Sequence, residues 1–137
     1  MEHSGYSPDI IVLLQATCPL RDENIIDAAL NQLINSDNDS IFTGFFAGCA
    51  MPLWKKSING DFVPFYDYHL RPRRQDENLR ESMFSENGAM YAITREAFKK
   101  THDFLGNKVD CFVMDYQVDI DTQEDFAVVE KAITAKL

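Results

Sequence analysis

Asp119-Ile120-Asp121 sets two carboxylates two residues apart, just ahead of a helix-start pattern. On a strand end, residues i and i+2 point the same way, so the pair would project together beyond a sheet edge. Hard oxygen anions at this spacing suit Mg²⁺, which takes one or two carboxylates and keeps its other positions for water and substrate phosphate. The plainer role is structural, with Asp121 capping the helix and Asp119 in solvent. A second group is Gln15, Thr17 and Arg21, an amide, a hydroxyl and a guanidinium that follow an apolar run. They could bind a polar ligand carrying a carboxylate, or simply satisfy their own loop. The third is Arg71, Arg73, Arg74 and Arg80 with Lys55 and Lys56, close to half of the 13 Lys and Arg in one segment. It is either an anion clamp reaching into a neighbouring active site or a solvated, salt-bridged face.

Other chemistry finds little support. His3, His69 and His102 are isolated, and no Ser/His/Asp or Cys/His arrangement can be argued. Cys18, before a proline, reads as a small packed residue. The six glycines are scattered, so the chain has no glycine-rich cradle for a triphosphate.

The elements that must position these groups follow from periodicity. Ile10 to Leu14 is an uninterrupted apolar run, expected of a strand buried on both faces, and the polar loop after it lies where ligands bind in open α/β sheets. Asp22 is a good N-cap for a helix whose apolar positions run from Ile25 to Ile34. Ser40 to Phe46 reads as a second strand. Asn59-Gly60 is a hairpin signal inside an aromatic and basic excursion. That excursion either packs on another subunit or folds back on its own domain. Asn87 to Thr94 and Lys108 to Met114 read as strands, with a helix from the Thr94 cap through Thr101 between them. A last helix begins at Asp121 or Thr122, with Phe126, Val129 and Ile133 on its inner face. The alternation predicts an α/β class with a largely parallel sheet.

With 137 residues and 45% hydrophobic content, the chain has the size and core of one domain. Thirteen basic against 22 acidic residues give a net charge of −9, which argues against nucleic acid or an anionic membrane as partner. Three widely spaced cysteines indicate neither a disulfide framework nor a zinc site. With no signal-peptide pattern and no membrane-length apolar run, a cytoplasmic setting is expected.

Three motifs, LLQATCPLR at Leu13–Arg21, ENGAMY at Glu86–Tyr91 and DIDTQEDF at Asp119–Phe126, together resemble the acylneuraminate cytidylyltransferases, the CMP-sialic acid synthetases. The resemblance covers nearly the whole chain from Asp9 onward. It implies a three-layer nucleotidyltransferase-like (Rossmann-like) fold, usually dimeric. The implied reaction joins a nonulosonic acid to CMP from CTP with Mg²⁺, releasing pyrophosphate as the anomeric hydroxyl attacks the α-phosphorus. By the same resemblance Gln15 and Thr17 line the sugar pocket and Arg21 holds their loop. Asn87 and Tyr91 are sugar-side residues, Phe104 gives an apolar wall for the acyl group, and Asp119 and Asp121 are the catalytic metal pair. Arg74 is offered to the partner subunit by a protruding β-hairpin dimerisation arm at about 49–76, with Lys55 as that arm's lysine.

The sequence also departs from the family. Ala16 and Cys18 stand where Pro and Ser are usual, and Ser85 where Arg is common, which weakens the carboxylate clamp unless Arg80 substitutes. The family's N-terminal section, with its first strand and Gly-rich basic loop for the CTP phosphates, has no counterpart. Residues 1–137 are therefore expected to form a single partial, N-terminally truncated domain with little or no activity alone. The alternative is a non-catalytic remnant acting as a dimerisation or acidic-sugar-binding module.

Overall fold

A computed structural model describes residues 5–47, 54–64, 69 and 84–135. In chain order the elements are β1 (Ile10–Leu13), α1 (Glu23–Ile34), β2 (Ser40–Phe46), β3 (Trp54–Lys56), β4 (Phe62–Pro64), β5 (Phe84–Thr94), α2 (Arg95–Thr101), β6 (Val109–Val113) and α3 (Gln123–Thr134). The chain divides into two compact units, one of residues 1–45 with 86–137 and one of residues 46–85.

Local chemistry sets the helix ends. The Asp22 side chain accepts from the Asn24 N–H and starts α1, as its sequence predicts. Thr94 caps α2 by accepting from Ala97 N–H, and His102, in the left-handed conformation, closes it by donating its N–H to Phe98 O. Of the two candidate caps for α3, Thr122 takes the role. It accepts from Asp125 N–H while the Asp125 carboxylate accepts from the Thr122 N–H, a reciprocal capping box. The Thr122 hydroxyl, above all, holds the Asp125 carboxyl below its ordinary pKa. That contribution is complete above the ordinary carboxylate range and is lost as pH falls through the lowered value. Thr122→Ala is expected to cost about 1 kcal/mol, read as a shift in the urea midpoint that shrinks on acidification. An unchanged midpoint at neutral pH would remove the cap from the account.

In the larger unit four strands form one sheet in the order β1-β5-β2-β6. β1 runs antiparallel to β5 and β2 parallel to β6. Between β5 and β2, Thr94 N donates to Asp39 O and Met90 N to the Thr43 hydroxyl. The residue number rises on one strand as it falls on the other, so this pairing is antiparallel too. The expected mainly parallel sheet is thus corrected: most pairings are antiparallel, because β5 is inserted in reverse between β1 and β2. The cause is the connection. The chain leaves β2 at Phe46 and returns into β5 at Phe84, whose rings meet edge-on at 6.1 Å, and a strand that returns where its neighbour left must run the other way.

One core cluster lies on the α1 side, where Ala29 and Leu33 pack with Ile41, Met90 and Ala92; Ala89, Ile93 and Val129 are buried as well. Gln32 ties α1 to β6 by donating to the Asp110 carboxylate at 2.9 Å and to Cys111 O at 3.3 Å. Two burial expectations are also corrected. β1 is not buried on both faces: it is the sheet's edge strand, and Val12, Leu13 and Leu14 are 37%, 36% and 40% exposed. On α3 only Val129 is buried, while Phe126 and Ile133 are exposed.

In the smaller unit β3 and β4 form the antiparallel hairpin that Asn59-Gly60 predicts, with Gly60 at φ +91° in its turn. Lys56 lies 6.0 Å from the Phe62 ring centre. No helix among the described residues is long and apolar enough to cross a membrane.

Candidate functional site

The polar loop after β1 is held from two sides. Arg21 Nη1 donates to the carbonyls of Gln15 (3.1 Å), Cys18 (2.9 Å) and Ala89 (2.9 Å), so one guanidinium fastens the loop to itself and to β5. Ile120 N–H donates to Thr17 O at 2.9 Å, and the fully buried Cys18 thiol contacts Gln117 Oε1 at 3.7 Å. These bonds draw the 117–120 segment against residues 15–18. Burial pushes the Cys18 thiol up, and the Asp119 charge adds to it, opposed by Arg21. The thiol therefore stays protonated at neutral pH, in keeping with a packed residue. Arg21→Ala would take a donor from three carbonyls, of which Gln15 O keeps the Cys18 N–H at 3.3 Å, and is expected to cost about 1–3 kcal/mol, measurable by denaturant unfolding; wild-type stability would show the loop is held otherwise.

Opposite the loop stands the start of β5. Gly88 has φ +70°, and a Cβ there would lie 2.9 Å from Asp119 Oδ2 and 3.0 Å from Gln15 Oε1. The backbone at Gly88 therefore presses between the two side chains. Asn87 is 5% exposed. Its Oδ1 accepts from the Thr43 hydroxyl (2.7 Å) and from Ala89 N–H (3.1 Å), which fixes the amide. Its Nδ2 is buried and has no acceptor among the described residues, and Asp119 Oδ1 is likewise buried without a donor. Buried polar groups are ordinarily paired, so this orphan donor and orphan acceptor make the region a candidate binding site. Tyr91 donates its hydroxyl to Glu86 Oε2 at 2.7 Å. Burial raises its pKa strongly, and the bond and charge of Glu86 and the charge of Asp119 add to this. It remains a neutral phenol whose oxygen can still accept.

Gln15, Thr17, Arg21, Asn87, Tyr91 and Asp119 are thus gathered around one end of the sheet. Others are not. Asp119 and Asp121 lie in an irregular segment after β6 rather than on a strand end. Asp121 is exposed, and its N–H donates to Asp125 Oδ2 at 3.3 Å. Phe104 packs on Phe98 with ring centres 5.6 Å apart, following α2 at the far end of β5. Arg74 lies outside the described residues, as do Arg71, Arg73 and Arg80. Among the described residues no group of three or more His, Cys, Asp or Glu is arranged to hold a metal ion. Asp119 nevertheless suits a hard cation, because one of its carboxylate oxygens is buried without a hydrogen-bond partner. Sequence reasoning missed Gly88 and Thr43 as site residues. An Asn-Gly pair inside a strand pattern, a sign of close backbone approach, was the available signal for Gly88.

The fold is of the nucleotidyltransferase-like α/β kind. Among solved structures the chain resembles 4-diphosphocytidyl-2C-methyl-D-erythritol synthase from Anaerococcus prevotii DSM 20548, with a TM-score of 0.61 at 13% sequence identity. The match covers 96% of this chain and 62% of that one. No protein-family model matches the sequence, and no curated protein matches it.

Proposed function

We propose that the chain is the sugar- and metal-binding portion of a cytidylyltransferase that activates a nonulosonic acid with CTP. The observation that carries this reading is the pair of orphans, Asn87 Nδ2 and Asp119 Oδ1, across the Gly88 backbone. A ligand bearing an acceptor oxygen for the first, beside a cation for the second, matches an acidic sugar next to a metal-bound phosphate. Asn87 donates to a sugar oxygen, Tyr91 accepts from a sugar hydroxyl, and Gln15 and Thr17 close the pocket from the β1 loop. Asp119 and Asp121 would hold Mg²⁺, which would supply positive charge to neutralise phosphoryl oxygens. Cytidylyl transfer is also what the name of the Anaerococcus neighbour denotes, though on a different sugar. The three sequence motifs favour the acidic sugar.

The test is a titration of the 137-residue chain with N-acetylneuraminate, 2-C-methylerythritol 4-phosphate and Mg·CTP, followed by NMR of the Asn87 side-chain amide. Neuraminate is expected to shift that resonance and the erythritol phosphate to leave it unmoved. The reverse pattern would transfer the chain to the other sugar. Pyrophosphate release from this polypeptide alone is expected to be negligible. The scattered glycines, which offer no phosphate cradle, favour a second reading in which the chain binds the acidic sugar without catalysis.

A further inference from the structure

The two polar side chains on either side of Gly88 are locked in opposite senses. Asn87 Oδ1 takes the Thr43 hydroxyl and the Ala89 N–H, so its amide offers a ligand only the donor Nδ2. Tyr91 is locked the other way by Glu86, a residue the proposed function leaves without a part. The Tyr91 hydroxyl donates to Glu86 Oε2 at 2.7 Å. A phenol carries one proton, and here that proton is committed.

The backbone makes the contact possible. Residues five apart on a regular strand point to opposite faces. Between Glu86 and Tyr91 lies Gly88 at φ +70°, a left-handed glycine of the kind that forms a bulge and breaks the alternation. The two side chains therefore meet on one side of β5. A hydrogen bond to a carboxylate is roughly twice as strong as one between neutral groups. Turning the proton from Glu86 towards a neutral ligand oxygen thus loses more than it gains. Ionisation is opposed as well: burial first, then the bond and charge of Glu86 and the charge of Asp119, hold the phenol well above its ordinary pKa. What the partly buried Tyr91 has left to offer is a lone pair on its oxygen.

We propose that Glu86 is a positioning residue that sets the specificity of this site: by holding the Tyr91 proton it makes the phenol oxygen an acceptor, so the ligand must present a hydroxyl there. Asn87 then demands an acceptor and Tyr91 a donor. An ether, a ketone or a fluorine in place of that hydroxyl would set one acceptor against another, which is how a polar site rejects an analogue lacking a single group. The inference rests on the sugar-binding reading above, because it takes Tyr91 as lining that site, but not on which sugar binds.

The test is calorimetry of the 137-residue chain with N-acetylneuraminate, 2-C-methylerythritol 4-phosphate, and analogues of each in which one hydroxyl at a time is replaced by fluorine. For whichever sugar binds, one analogue is expected to bind about tenfold more weakly than its parent. In Glu86→Ala that difference should nearly disappear, because the freed phenol can donate, and in Tyr91→Phe it should vanish. Glu86→Gln keeps an acceptor oxygen for the phenol and should retain part of the discrimination. Glu86 is exposed, so Glu86→Ala should melt as the wild type does. Equal weakening of parent and analogues in Glu86→Ala, discrimination that survives it, or a wild type that binds every analogue as well as the parent overturns the proposal. If only the erythritol phosphate binds, the acidic-sugar reading falls while the Glu86 test runs on that sugar's analogues; if neither binds, both fall.

Discussion

Gly88→Ala is expected to destabilise the protein by about 1–3 kcal/mol and to abolish binding at the β5 end of the sheet. Two penalties act together. The residue sits at φ +70°, where a side chain is strained, and the new Cβ would fall 2.9 Å from Asp119 Oδ2 and 3.0 Å from Gln15 Oε1. Both neighbours are tips of side chains, so they can retreat, but retreat spreads the groups that a ligand must bridge. Gly60→Ala is the control. Its φ is +91°, yet its Cβ would come no nearer than 4.0 Å to Lys56 Cε, so it should show the backbone cost alone. Urea unfolding and a neuraminate titration read the two effects separately. If Gly88→Ala behaved like Gly60→Ala, the close approach at Gly88 would have no functional meaning.

Asp119→Asn should leave the fold at wild-type stability or slightly above it. At the same time Mg²⁺ binding should weaken at least tenfold, about 1.4 kcal/mol. One oxygen of the carboxylate is buried with no donor, and an unsatisfied charged acceptor is a cost that the neutral amide lessens. A residue kept for stability would behave the opposite way. Calorimetry with Mg²⁺ against thermal melting resolves the contrast; lost stability with unchanged binding would make Asp119 structural.

Much of the local structure is legible in the sequence because it is decided locally. Asp22 and Thr94 are caps by their own side-chain chemistry, and Asn59-Gly60 turns because Gly60 accepts a positive φ. What depends on distant partners is not. An apolar run such as Ile10 to Leu14 looks alike whether a neighbour covers it or, as here, it ends the sheet. The direction of β5 follows from where the excursion returns, which no periodicity records. Phe126 and Ile133 keep helical spacing with Val129, yet only Val129 finds cover. For the site, the motifs marked Gln15, Thr17, Asn87, Tyr91 and Asp119. The buried Thr43 hydroxyl that fixes Asn87 lies 44 positions away and could be matched to it only in three dimensions.

That Thr43–Asn87 bond has a consequence for how the molecule can be rebuilt. It joins β2 to β5 within the larger unit, close in sequence to where residues 46–85 leave it and return. With that joint closed by its own contacts, the length beyond it is nearly free to vary: doubling a loop adds only about 0.6 kcal/mol of closure entropy. The excursion is in effect a cartridge. It can be exchanged for a short turn or a foreign hairpin, and what the sheet binds can then be measured apart from what residues 46–85 contribute.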